Sequence, residues 1–238
     1  MPAPRLHALL LAAGAGSRMG FVPKPLIEVD GQPLWQRLLL AAREVGAQEA
    51  VVVLGHHAER VAASIAQWPE AQRPLVVTNL QPGPDPTDSL HLGLADIARR
   101  GPWPERLLVL LADQPSLQAA HLRAALDAFE QRPPGAHALV PTVQGQPGHP
   151  IVLDAQGCAT LHARGSGGVK AWRRERPDQV ATWPTDALAY VQDLDEPADL
   201  QALAQGSGQR VHLPPVSPRE SPEASAPPGP RGGPPPLV

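Results

Sequence analysis

The sequence is nearly free of cysteine. Its single thiol, Cys158, can close no internal disulfide and belongs to no metal-type cysteine cluster. That pattern fits a reducing compartment, and the expected location is the cytoplasm. Clusters of lysine and arginine are also missing, and the net charge is −3. A general basic surface for gripping nucleic acid is therefore excluded, and a polyanionic ligand would need a few placed cations and backbone amides instead. No apolar run is long enough to span a bilayer. The run Leu6 to Ala13 is too short, and no basic leader with a cleavage site accompanies it, so it reads as a core strand and no membrane partner is expected. No internal repeat is visible.

What is present is a chain of 238 residues, 42% of them hydrophobic, enough for one sizeable core in one α/β domain. Buried runs alternate with helical patterns. Strands are expected over Leu6–Ala13, Glu49–Leu54, Leu75–Thr78, Arg106–Ala112, Ala138–Thr142, Ile151–Leu153, Val180–Trp183 and Tyr190–Val191. Helices are expected over Pro33–Val45, Ala58–Trp68, Asp88–Arg100 with Asp88 as its N-cap, Leu117–Gln131, Gly167–Arg176 and Ala198–Ala204. Strand–helix alternation predicts a three-layer, Rossmann-like α/β fold with a mostly parallel sheet and helices on both faces, its ligands at the carboxyl ends of the strands. The domain is expected to occupy residues 1–205. The rest of the chain, 206–238, is rich in Pro, Ser and Gly and cannot bury enough apolar surface to offset its ordering entropy, so a disordered tail is expected. Of Trp68, Trp103, Trp172 and Trp183, most are expected to pack against helices.

The first strand runs into Leu11-Ala12-Ala13-Gly14-Ala15-Gly16-Ser17-Arg18-Met19-Gly20, followed by Pro23-Lys24-Pro25-Leu26. Glycines let the backbone approach phosphate and aim amides at it, while Arg18 and Lys24 add cationic donors. A dinucleotide-binding loop competes for this reading. Its third glycine would have to come one residue before Gly20, and the second strand ends in Gly55-His56-His57 rather than in an acid for a ribose. The G-x-x-x-x-G-K-[ST] phosphate loop is absent. Asp113 follows a buried strand and precedes Gln114-Pro115, where it can face the crevice and meet a hard cation such as magnesium, or else cap the following helix, a role open to Ser116 as well. His56 and His57 show no ligand-like spacing with cysteines or acids.

The loop resembles the signature L-A-A-G-x-G-x-R-M-G…K-x-L of the molybdopterin nucleotidyltransferases and their sugar-phosphate relatives, and Asp113-Gln114-Pro115 is similar to that family's Asp-x-Pro. The resemblance covers about residues 6–205. It implies that Leu11, Ala12, Ala13, Gly14, Gly16 and Ser17 hold a nucleotide and that Arg18 and Lys24 contact its phosphates. Asp113 would bind Mg2+ together with Asp193, from the stretch Asp193-Leu194-Asp195-Glu196-Pro197-Ala198-Asp199-Leu200, with Asp195 as the alternative ligand. Asn79 and Ser89 resemble residues near the nucleoside. Gly148 and His149 resemble an acceptor-side loop, and Ser166 with Gly167 stand where molybdopterin cytidylyltransferases carry G-D-x-G-A-R. Here Ser166 replaces the Asp and Lys170 the Arg. The implied activity is transfer of a nucleoside monophosphate from an NTP, CTP first, to a phosphorylated acceptor, molybdopterin first, with a molybdoenzyme or its chaperone receiving the product. A sugar phosphate, an isoprenoid precursor or the use of GTP are alternatives, and so is a nucleotide-binding accessory protein without turnover.

Overall fold

The computed structural model describes residues 4–83, 85–207 and 210–215. In chain order the elements are β1 (Leu6–Ala12), β2 (Glu28–Val29), β3 (Gln32–Pro33), α1 (Leu34–Glu44), β4 (Glu49–Leu54), α2 (Ala58–Ala66), β5 (Leu75–Thr78), α3 (Thr87–Arg100), β6 (Arg106–Leu111) and α4 (Ala119–Glu130). They continue as β7 (Ala138–Val143), β8 (Gln146–Pro147), β9 (Ile151–Leu153), α5 (Ala155–Arg164), α6 (Val169–Glu175), β10 (Val180–Pro184), α7 (Pro197–Ser207) and β11 (Val211–His212). Short 3-10 turns cover Ser17–Met19, Lys24–Leu26 and Leu188–Tyr190.

The main sheet has the order β10-β7-β9-β6-β1-β4-β5, with β8 added to β7. β1 lies parallel between β4 and β6, pairing Ala12 with Leu54 and Leu11 with Leu111, and only β8 and β9 run antiparallel. Successive side chains of a strand point to opposite faces, and β1 shows the consequence. Ala8 and Leu10 join Trp35, Leu38, Val61, Leu122 and Phe129, the core under α1, α2 and α4. Leu9 and Leu11 join Leu94, Ile97, Leu161 and Trp172, the core under α3, α5 and α6. The fold is therefore the expected three-layer α/β arrangement. From β1 the chain winds outward through β4 and β5, then returns to β6 on the other side of β1. The strand order reverses there, which opens a crevice beyond the carboxyl ends of β1 and β6.

Several local expectations are corrected. Asp88 does not cap α3, which begins a residue earlier. Asp85 instead accepts the Thr87 amide at 2.8 Å, and Pro86 stands at the cap position. Tyr190–Val191 is not a strand, because Tyr190 closes a 3-10 turn whose hydroxyl donates to the His121 carbonyl at 2.9 Å. Helix α5 was not foreseen. Asp154 caps it by accepting the Gly157 amide at 2.8 Å. The expected domain edge at 205 falls inside α7, and β11 returns to pair with β2. Residues 208–209 and 216–238 of the expected tail lie outside the described residues. Trp68 and Trp172 are buried, and Trp103 and Trp183 are half-buried against the two cores. No helix among the described residues is long and apolar enough to cross a membrane.

Candidate active site

A cavity of about 650 Å³ opens where the sheet reverses. β1 supplies Leu11 and Ala12, and the following loop supplies Ala13, Gly14, Ala15, Gly16, Ser17 and Arg18. The loop turns back sharply at Gly16, where φ is +64°, and the amides of Met19 and Phe21 donate to the Gly16 carbonyl at 2.9 Å. A Cβ at Gly16 would collide with the Val22 carbonyl oxygen, so only glycine suits the turn. His57, buried at the end of β4, holds the loop through a 2.9 Å contact between Nε2 and the Ala15 carbonyl. Met19 and Val22 pack on Ile27, Val29, Leu34, Leu194 and Leu203, a small core that anchors the loop to α7 and the β11-β2-β3 sheet.

β6 ends at Leu111, and Ala112 and Asp113 continue into the cavity. Helix α4 is capped at Gln118, whose amide donates to His121 Nδ1 at 3.1 Å, so neither Asp113 nor Ser116 is spent as a cap. The Leu194 amide donates to the Asp113 carbonyl at 2.9 Å, and Asp193 and Asp195 flank the cavity on either side of that bond. Lys24 Nζ reaches Asp113 Oδ2 at 3.1 Å and Asp195 Oδ1 at 2.7 Å, and Arg18 reaches Asp195 Oδ2 at 2.7 Å. Burial pulls the Lys24 ammonium down, but the Asp113 and Asp195 carboxylates outweigh it and hold the group above its ordinary range. Burial pushes Asp195 up, and Lys24 and Arg18 overcome that, leaving it below the usual carboxylate range. On Asp193 the charge of Lys24 acts only weakly. Burial first, then the charges of Asp113 and Asp195, hold its carboxyl above the usual range.

Whether these groups fit a divalent ion is decided by their chemistry. Asp113 Oδ1 is buried with no hydrogen-bond partner, and its other oxygen already holds a cation, the Lys24 ammonium. The donors are hard carboxylate oxygens, as magnesium and manganese prefer. Among the described residues no group of three or more His, Cys, Asp and Glu side chains is set to hold a metal. A carboxylate pair completed by ligand phosphate oxygens is the arrangement the site allows, and the residues fit the ion on those terms.

Ser89, in the first turn of α3, lines the cavity. Asn79 does not line it. Its Oδ1 accepts the Gln81 amide at 3.0 Å and its Nδ2 donates to Ser89 Oγ at 3.2 Å, so it orients the serine. Gly148, His149, Ser166 and Gly167 are also outside the lining. The amide of Gly148 donates to the Pro141 carbonyl, and that of His149 to Tyr190. Burial lowers the His149 imidazole to about 4. Gly167 accepts His91 Nε2 at 3.0 Å, which lays the 165–168 loop against α3. Ala15, His56, Pro82, Gly83 and Pro86 line the cavity without having been foreseen. The signal for His56 was its place after β4, in parallel register beside β1, where its amide reaches the Ala13 carbonyl at 3.3 Å.

Residues 8–206 match the MobA-like NTP transferase domain. The bifunctional protein GlmU of Anaeromyxobacter sp. strain K is 32% identical over 192 residues, 79% of this chain and 38% of GlmU. That of Sorangium cellulosum strain So ce56 is 37% identical over 137 residues, 56% of this chain and 28% of GlmU. The chain thus spans well under half the length of these curated relatives. Among solved structures, Rv0371c of Mycobacterium tuberculosis H37Rv superposes with a TM-score of 0.67 at 25% identity, covering 86% of this chain and 100% of that one. Its manganese complex superposes at 0.62 and 23% identity, covering 84% and 98%. Molybdopterin-guanine dinucleotide biosynthesis protein A of Archaeoglobus fulgidus superposes at 0.60 and 15% identity, covering 85% and 98%, a likeness of fold.

Proposed function

The chain belongs to the family of MobA-like NTP transferase domains and is a nucleotidyltransferase, and from that premise we propose that it transfers CMP from CTP to molybdopterin with release of pyrophosphate. The observation that carries this reading is the shared cavity. The glycine-rich loop, Arg18, Lys24, Asp113 and Asp193 all line it.

In this account the loop amides between Ala13 and Ser17 cradle the triphosphate, and Arg18 and Lys24 take the charge that grows on it as the α-phosphorus is attacked. Ser89, turned by Asn79, meets the nucleoside. Asp113 and Asp193 would hold magnesium, and the ion, when bound, would supply Lewis-acid neutralisation of the phosphate charge. A phosphate acceptor is ionised at neutral pH, so no protein base is required and positioning does most of the work. The acceptor is assigned to the loops carrying Gly148, His149, Ser166 and Gly167. The protein, working in the cytoplasm, passes its product to a molybdoenzyme or its chaperone.

One observation favours a second acceptor, a sugar phosphate or other phosphorylated metabolite. Ser166 and Lys170 are exposed and replace the Asp and Arg of the cytidylyltransferase loop. The test is pyrophosphate release with magnesium and each NTP in turn, with and without molybdopterin. Release with CTP only when molybdopterin is present upholds the proposal. Release with CTP only in the presence of another phosphorylated acceptor replaces molybdopterin and keeps the chemistry.

A further inference from the structure

Lys24 is seated between two carboxylates. Its ammonium lies between Asp113 and Asp195, at 3.1 and 2.7 Å, and its side chain is only 15% exposed. Such a pair is screened far less than one on the surface. Arg18 closes the remaining oxygen of Asp195 but is 65% exposed. Of the two cations, Lys24 is the one seated on Asp113, the carboxylate assigned above to magnesium.

We propose that Lys24 serves as the resident cation of Asp113 and Asp195 until a nucleoside triphosphate draws it away, so that nucleotide arrival frees Asp113 for a divalent ion. The inference rests on the assignment of Asp113 to the metal. A divalent ion taken up alone at the unpartnered Asp113 Oδ1 would stand beside the ammonium held on Oδ2 at 3.1 Å and be opposed by its charge. A triphosphate removes that obstacle by offering the ammonium new anionic oxygens. Nucleotide and metal then favour each other's binding, and the coupling is reciprocal. Asp195 becomes a positioning residue. It holds Lys24 and Arg18 together beside the loop and gives them up to the phosphates.

The experiment is calorimetric titration of the full chain with Mn2+ alone, without nucleotide. Wild type and Lys24→Arg, which keeps the cation, should bind Mn2+ weakly. Lys24→Met should bind it about tenfold or more tightly, in the range of ordinary coupling between sites. Arg18→Met removes the same charge from Asp195 yet leaves Lys24 on Asp113, and its gain should stay below about threefold, as expected of an exposed pair. The proposal is overturned if Lys24→Met binds Mn2+ no better than wild type, or if Arg18→Met gains as much. Circular dichroism checks the fold, and Lys24→Gln carries the same comparison if the Met variant does not fold. The underlying metal assignment is tested apart from this. Mn2+ should tighten binding of an α,β-methylene CTP analogue to wild type and not to Asp113→Ala. Equal tightening in both proteins would overturn that assignment, whatever Lys24 does.

Discussion

The amide of Leu194 and the carbonyl of Asp113 are hydrogen-bonded at 2.9 Å, across 80 intervening residues. Two further bonds fix the same junction. Gln114 Nε2 donates to the Tyr190 carbonyl at 3.1 Å, and Ser116 Oγ donates to Gln192 Oε1 at 2.9 Å. Asp113 and Asp193 reach one cavity because the residues beside them are sewn together. Gln114→Ala should therefore cost roughly 1–3 kcal/mol in urea unfolding, since it strips a buried hydrogen bond from the seam. It should also lower turnover more than it weakens nucleotide binding. An unchanged unfolding midpoint would contradict the seam.

Lys24 and Arg18 differ in burial, and their variants should differ accordingly. Lys24→Ala should lose on the order of 10²–10³ in kcat, the scale of removing a pre-organised charge-stabilising donor. Arg18→Ala should lose less, because its exposed guanidinium works in screened surroundings. Steady-state rates with saturating CTP check the order.

Asn79 acts through Ser89. Asn79→Ala and Ser89→Ala should each raise the KM for the nucleotide severalfold, and the double variant should be little worse than either, as residues in one network are non-additive. Additive losses would show that the two residues bind independently.

Gly16 and Gly20 both hold left-handed backbone, with φ of +64° and +69°. A Cβ at Gly20 meets nothing within 4 Å, whereas at Gly16 it meets the Val22 backbone. Gly20→Ala should cost about 1–2 kcal/mol, the left-handed penalty alone. Gly16→Ala should cost more and should weaken nucleotide binding, which Gly20→Ala should not. Thermal unfolding and nucleotide titration of the pair separate the two terms.

His149 is neutral when folded, its imidazole lowered to about 4 by burial from an ordinary value of 6.5. The unfolded chain takes up that proton first, so stability is whole above about 6.5 and is lost as pH falls towards about 4. The loss from this group is at most roughly 3–4 kcal/mol. His149→Gln should flatten that part of the stability profile measured by urea unfolding between those limits. An unchanged slope would show that His149 titrates normally.

The sheet was readable because β1, β4 and β6 carry the apolar runs 8–12, 50–54 and 107–111, which a doubly covered strand explains. The loop was readable because its glycines and cations are contiguous. Other features depend on distant partners. Helix α5 carries Gly157 and a weak apolar stripe, and its start is set by Asp154, which also binds Arg132 and His137. His56 gains its place at the cavity from the parallel pairing of β4 with β1. Asn79 was expected at the nucleoside, and its role one step back depends on where α3 places Ser89. The ion pairs of Asp195 join residues 171 and 177 positions apart, a closeness no local pattern encodes.

The central claim is that Asp113 and Asp193 serve transfer of a nucleotidyl group in this cavity. The most direct measurement follows label from the α-phosphate of CTP in the presence of magnesium and molybdopterin, for the wild type beside Asp113→Ala and Asp193→Ala. The account predicts label on molybdopterin with one pyrophosphate released per transfer, lost by about 10²-fold or more in each variant. Label recovered only as unreacted CTP or free CMP in the wild type, or transfer that survives both substitutions, would contradict it.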